Sequence, residues 1–401
     1  MRARRRRTRS LIGPAAVAAV MGLTLAACGS DDDGGSSPDR EASSTSPAAA
    51  SGLAPPSQLP TLEEMYKGGS THPPTSGPPP AKGKTVWFVP CSSTVYECHQ
   101  LAVKGQEAAR LLGWNAKVIS GQYNTAGAYA RVINQAVAQG VDGIVVDAFG
   151  CTEAEQPLRQ ARAKGISIAI VESSDCDPPV ANAKMIQGEG VPGNDAWDYQ
   201  NGVQQAAYII NKTGGKARIL ASHGEDAPAN VLAYKGFTDT LAKHCPGCKI
   251  VNSFEWVSSD FVSNGPWIQA LRAQLTRYGP QADSVLFEWD VMVELGGAQA
   301  VRTAGMKDAL VLGTLGRPPV IEAIKRGEFT AATGAMSLGW TGYASVDNLN
   351  RAFNDKPPVP QGLGFTVIDK DHNLPGDDNT FEPEGIDWRS AYLKLWGVEG
   401  T

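Results

Sequence analysis

The sequence predicts an α/β protein built from two doubly wound parallel-sheet lobes joined by three crossovers. Short apolar runs recur from Thr85 onward, and an amphipathic helical pattern follows most of them. The alternation repeats at about thirty residues per β-α unit, the pattern of parallel sheets with helices on both faces. It continues for some three hundred residues, more than one sheet can bury around a single core, so the region divides into two lobes.

Before this region lie a leader and a tether. "MRARRRRTRS" carries six arginines, and the seventeen residues Leu11 to Ala27 are apolar but interrupted by Gly and Pro. That run is short for a membrane span and reads as a secretory signal over residues 1–27. Leu25-Ala26-Ala27-Cys28 resembles the lipobox of bacterial lipoproteins, which implies that Cys28 carries lipid and becomes the first mature residue. The chain is then expected outside the cytoplasm, anchored to the cell membrane through Cys28 alone. Residues 28–82 are rich in Ser, Pro, Gly, Ala and Asp, with one helix-like patch, "LPTLEEMYKG". Such a composition reads as a disordered tether.

Charge and cysteines narrow the chemistry. The whole chain has 36 basic and 41 acidic side chains; without the leader's six arginines the net charge is −11. An acidic surface argues against nucleic acid or anionic lipid as a partner. The cysteines after Cys28 are Cys91, Cys98, Cys151, Cys176, Cys245 and Cys248, an even number in a chain read as exported. Three disulfides are expected, and the sequence-near pairs 91–98, 151–176 and 245–248 are the preferred connectivity among fifteen.

The expected strands are "TVWFV", "NAKVI", "DGIVV", "ISIAIV", "AKMIQ", "ARILA", "KIVNS", "SVLFE" and "ALVLG". Two helical stretches stand out between them. In "TAGAYARVINQAVAQG", Thr125 can cap the start, Tyr129, Val132, Ile133 and Ala136 share a face, and Gly140 ends the helix. In "DAWDYQNGVQQAAYIINKTGG", Val203, Ala206, Ala207 and Ile210 form the stripe. Ligands of such sheets bind beyond the carboxyl ends of the strands.

Several motifs promise chemistry they do not carry. "GEGVPG" at Gly188 fits a dinucleotide fingerprint, but Pro192 removes an N–H and Glu189 would repel pyrophosphate. "HCPGC" at His244 follows a helix end, whereas a reactive thiol wants a helix start; a surface disulfide fits better. "DKDHN" at Asp369 opens like a calcium loop, yet Leu374 and Thr380 stand where Gly and Glu are required. No G-x-S-x-G elbow and no H-E-x-x-H pair occurs. His223, after "ARILA", is the one histidine placed for acid–base work, and a ligand contact or a surface role fits it better. No catalytic residue, cofactor or metal is expected.

The words "KGQEAARLLGWNAKVIS", "INQAVAQGVDGIVV", "LRQARAKGISIAIVES", "YKGFTDTLAK", "LGGAQAVRTAG" and "VLGTLGRPPVIEAIKRGEFTAAT" occur in this order between Lys84 and Ile368. In that order they resemble the ribose-type sugar-binding proteins of bacterial ABC importers, the type I periplasmic-binding fold. The resemblance implies an N-terminal lobe of residues 83–188 plus 336–367 and a C-terminal lobe of 189–335 plus 368–401. Their crossovers would fall near Gly188, near Thr333 to Ala335 and near Ile368. It further implies a monomeric receptor whose lobes close on a small molecule and deliver it to an ABC permease and its ATPase. A signalling receptor, or an exported enzyme on the same fold, is the alternative.

The sugar contacts of that family transfer poorly. Glu172-Ser173 replaces its Asp-Arg pair, and its Arg, Asp and Gln fall on Ala233, Leu315 and Ala335. Its paired Phe fall on Cys98 and His99, with the preceding Asn on or near Tyr96. Asp290, Phe261 and an acid at Glu172 survive. Aromatic residues crowd the strand ends instead: Phe149, Trp256, Phe261, Trp267 and Trp289. The expected pocket therefore has Tyr96, Phe149, Trp256, Phe261 and Trp289 against a flat or apolar ligand face. Glu172 and Asp290 would accept hydrogen bonds from its hydroxyl or amine donors.

Overall fold

The computed structural model describes residues 53–188, 191 and 193–398. The leader, Cys28, the first part of the tether, and Glu189, Gly190 and Pro192 of "GEGVPG" lie outside the described residues. From residue 53 the chain is packed against the protein, which corrects the assignment of 53–82 to a free tether. Helix α1 (Leu62–Lys67) starts at a capping box in which the Thr61 hydroxyl and the Glu64 carboxylate each accept the other's backbone N–H. Its Met65, 4% exposed, enters an apolar layer with Ala206, Phe237 and Val367. Further on, Gly69 and Thr71 donate to the carbonyls of Phe365 and Gly362, and the carbonyls of Ser76 and Ala81 accept from Arg351 and Trp114. A few apolar side chains thus fix a segment whose average composition is that of a linker.

The N-terminal lobe follows as β1 (Thr85–Pro90), α2 (Tyr96–Leu111), β2 (Asn115–Val118), α3 (Ala128–Ala138), β3 (Gly143–Asp147), α4 (Cys151–Ala163) and β4 (Ser167–Val171). Its four strands are parallel in the order β2-β1-β3-β4. Both faces are apolar and alternate: Val86 and Phe88 face one layer, Trp87 and Val89 the other. In α3, Tyr129, Ile133 and Ala136 are buried and Val132 only partly. Gly127 rather than Thr125 stands at the N-cap; the Thr125 hydroxyl donates back to the Gln122 carbonyl.

The C-terminal lobe holds α5 (Asn194–Thr213), β5 (Arg218–Gly224), α6 (Pro228–His244), β6 (Lys249–Trp256), α7 (Pro266–Tyr278), β7 (Ser284–Phe287), α8 (Val291–Glu294), α9 (Gly297–Thr303), β8 (Leu310–Gly313), α10 (Pro318–Lys325) and β9 (Ala331–Ala335). The chain then lends α11 (Leu338–Phe353) to the N-terminal lobe, returns as β10 (Thr366–Asp369) and ends with α12 (Trp388–Trp396). The sheet order is β10-β9-β8-β7-β5-β6, parallel except for β10, which runs antiparallel to β9.

Three differences from the sequence reading have physical reasons. "AKMIQ" is not a strand: Gln187 sits in the hinge, where its carbonyl accepts from Gln361 and Leu363. Strands β9 and β10 replace it, and "AATGA" lacks the bulky side chains that announce a strand. The tail does not stay with the C-terminal lobe. Tyr392 and Trp396 of α12 pack on Tyr343 of α11, and Trp396 donates to Asp347, so the end of the chain closes the N-terminal core.

One polar cluster joins α1 to β10. Asp369 accepts from Tyr66 (2.6 Å) and Tyr208 (3.2 Å), and His372 lies 2.8 Å away, its ring stacked on Tyr66. Burial alone would raise the Asp369 pKa, but bonds from Tyr66, His372 and the Asp371 amide outweigh it and hold the value at about 2. A depressed carboxylate contributes stability above its ordinary pKa and loses it as pH falls through the folded value. Tyr66→Phe is therefore expected to lower the melting temperature at neutral pH, with the difference from wild type vanishing near pH 2. Melts across that range check it; a difference that persists in acid would overturn it.

Candidate ligand-binding cleft

The carboxyl ends of the strands in both lobes open onto one cleft of about 340 Å³. A second hollow of about 370 Å³ lies around Lys84, Asp142 and Phe353, at the opposite, amino ends of the N-terminal-lobe strands.

The N-terminal wall is shaped by unusual backbone. Ala148 and Glu172, just past β3 and β4, have φ of 55° and 54°, and Gln122, Tyr123 and Asn124 have 51°, 47° and 54°. Each such non-glycine residue costs on the order of 1–2 kcal/mol. The turn is held by Tyr123 N–H donating to the Cys91 carbonyl and Asn124 N–H to that of Gly121. Disulfide Cys91–Cys98 joins the loop after β1 to the first turn of α2, and Cys151–Cys176 joins the start of α4 to the loop after β4. Cys245–Cys248 closes the turn between α6 and β6.

Of the residues expected in the pocket, Glu172, Trp256, Phe261 and Trp289 line the cleft. Trp256 and Phe261 have ring centroids 4.6 Å apart, and the Trp289 indole N–H donates to Asn230 at 2.8 Å, which fixes its face. The other three are elsewhere. Phe149 is 1% exposed and stacks at 3.7 Å on Tyr129, which occupies the wall in its place. Tyr96 packs on the apolar layer of its lobe, while its neighbours Glu97 and Cys98 reach the cleft. Asp290, 2% exposed, accepts from the backbone N–H of Thr314 (3.0 Å), Leu315 (3.1 Å) and Arg317 (2.8 Å). Its oxygens shape the loop after β8 and are spent there.

That loop places a residue the sequence reading missed. Arg317, 2% exposed, extends from the C-terminal lobe to Glu97 at 2.8 Å and lies 3.7 Å from Glu172, and its other terminal nitrogen donates to the Met336 carbonyl. Close by, neither carboxyl oxygen of buried Asp147 has a hydrogen-bond partner among the described residues. Burial, then the charge of Glu97, push the pKa values of Asp147 and Glu172 well up, with Arg317 opposing. Two carboxyl groups, Glu97 and Glu172, share one guanidinium.

The C-terminal wall adds Asp198, Asn201 and Asp226, also unforeseen. Asp198 and Asn201 come from the first turns of α5, buried yet facing the cleft. Asp198 Oδ2, Asn201 Nδ2 and the Trp256 indole nitrogen have no hydrogen-bond partner among the described residues. Burial, then Asp195, raise the Asp198 pKa well above the usual range; burial does the same for Glu288, which accepts from the Gly224 amide at 2.7 Å. Among the described residues, no Lys, Arg or His lines the cleft.

A family model described as "Periplasmic binding protein domain" matches residues 86–357. A xylitol-binding protein of Mycolicibacterium smegmatis is 24% identical over 270 residues, 64% of this chain and 70% of the relative. A D-apiose import binding protein of Paraburkholderia graminis is 23% identical over 226 residues, 56% of this chain and 66% of the relative. In fold, the chain is similar to a glucose-galactose binding protein from Geobacillus stearothermophilus: TM-score 0.61, 17% identity, covering 74% of this chain and 100% of that one.

Proposed function

The chain belongs to the periplasmic binding protein domain family, and on that premise we propose that it is an extracytoplasmic receptor closing on a small sugar-like solute. It delivers that solute to an ABC permease driven by an ATPase, and lipid on Cys28 keeps it beside them. It is a binding protein and not an enzyme. Among the described residues, no histidine lines the cleft beside its serines, Ser173, Ser258 and Ser259, to activate them.

One observation carries the ligand class: among the described residues, buried acceptors and donors without a hydrogen-bond partner occur together in an aromatic-walled cleft. Asp198 and Glu172 offer oxygens, Asn201 and Trp256 offer N–H groups. Hydroxyl groups donate and accept at once, so a polyol fits both kinds. Trp289, Trp256 and Phe261 supply flat faces for its C–H surface. Closure is favoured to the extent that the ligand binds the closed form better.

Isothermal titration against xylitol, D-glucose, D-galactose, L-arabinose and myo-inositol tests this. At least one should bind, and Trp289→Ala should weaken it by at least tenfold, about 1.4 kcal/mol. Absence of binding by all five, or a Trp289→Ala protein that binds as wild type does, would reject the reading.

A further inference from the structure

The cleft carboxyl groups differ in what they already hold. Glu153 accepts from the Gly150 amide and the Thr152 hydroxyl, so it caps its own helix. Asp226 accepts from the Ser258 amide and Asn230. Glu97 holds Arg317, and Glu172 shares it. Asp198 is different: it lines the cleft, is 2% exposed, and one of its oxygens has no partner among the described residues. Other acidic side chains lie near it. Asp195 lies on the same helix, Glu225 and Asp226 follow β5, and Glu288 follows β7 with an oxygen of its own unpartnered. His223 stands 2.9 Å from Glu225. Lys184 lies exposed against Gly193, outside the cleft wall.

Resting on the receptor reading above, we propose that the ligand carries a protonated amine that seats on the Asp198 carboxylate at the C-terminal-lobe end of the cleft. A hydroxyl group satisfies an oxygen but gives an ionised Asp198 no countercharge, whereas an ammonium does both. The remaining groups match a hydroxylated ring, with Asn201 and Trp256 donating to its oxygens. An amino sugar or an amino-cyclitol has this combination. In the empty cleft burial favours the protonated Asp198; when the ammonium binds, that proton leaves to solvent and an ion pair forms. Binding therefore releases a proton and tightens as pH rises, until Asp198 is ionised in the free protein.

The test is calorimetry with matched pairs, D-glucosamine against D-glucose and D-galactosamine against D-galactose, at pH 6 and 7 in phosphate and in Tris. At least one amino sugar should bind ten or more times tighter than its hydroxyl partner. Buffer-dependent heats should reveal proton release for that sugar only. Asp198→Asn should erase the preference and the proton release; Asp198→Ser serves if the first variant folds poorly. The empty Asp198→Asn protein should melt higher than wild type, with the larger gain at higher pH, because a carboxyl with a raised pKa loses stability as pH rises. Equal binding within both pairs, or a preference that survives both substitutions, overturns the amine proposal and leaves a neutral-sugar receptor standing. Failure of all four probes while a neutral solute from the earlier screen binds also overturns it; failure of both sets rejects the receptor reading itself.

Discussion

Replacing Arg317 with methionine should destabilise the protein by about 3–5 kcal/mol at neutral pH, the usual cost of removing one partner from a buried ion pair. The side chain is nearly inaccessible, and its loss strands Glu97 and Glu172 beside Asp147, which has no hydrogen-bond partner among the described residues. The cost should also depend on pH. Arg317 opposes the rise in the pKa values of Asp147, Glu172 and Asp290. Without it those values climb further, so the folded variant binds more protons than wild type and loses stability more steeply as pH rises. Urea titrations at pH 5 and 7.5 should thus show a smaller deficit at the lower pH. Arg317→Lys should recover only part, because an ammonium lacks the planar fork that reaches Glu97 and the Met336 carbonyl together. A loss below 1 kcal/mol, or one independent of pH, would show that the cluster does not rely on this guanidinium.

Arg317 also marks where sequence reasoning stops. "DGIVV" and "ARILA" announced their strands because bulky β-branched residues fill both faces of a covered parallel sheet. "AATGA" did not, because β9 is buried by its neighbours rather than by its own bulk. Residues 53–82 read as linker since Leu62, Met65 and Tyr66 are few, yet those are the side chains that dock. The ordered words between Lys84 and Ile368 were enough to identify the family. In the cleft, Trp256 and Trp289 were legible because they stand at strand ends. Asp290 stands beside Trp289 but turns inward to the loop after β8, and a sequence does not say which of two neighbours turns which way. Arg317 and Asp198 were invisible for a related reason. One arrives from a loop of the opposite lobe and the other from a helix that begins just past a crossover, so only the assembled fold brings Arg317 to the carboxyl groups of the cleft wall and Asp198 to the cleft itself.

Gly202→Ala should cost at least 3 kcal/mol, although alanine is the better helix former by about 1 kcal/mol. Helices α5 and α6 cross at backbone contact. A Cβ on Gly202 would fall inside the van der Waals radius of the Ala233 carbonyl oxygen, and one on Gly236 would meet the Tyr199 carbonyl oxygen in the same way. Overpacking against side chains typically costs 1–3 kcal/mol because rotamers give way; a carbonyl in a helix has no rotamer. The helices must separate instead, and Ala206 and Phe237 lose their close packing in the layer they share. Gly339→Ala is the control. Its Cβ would meet the ring of Trp388, a side chain that can shift, so its cost should be clearly smaller. Asp198 lies one helical turn before Gly202 and Asn201 immediately before it, so moving α5 also moves the C-terminal wall of the cleft. Ligand affinity should therefore fall with Gly202→Ala even at temperatures where the protein remains folded. A Gly202→Ala protein with the urea midpoint of wild type would mean that the two helices do not meet as closely as the structure places them.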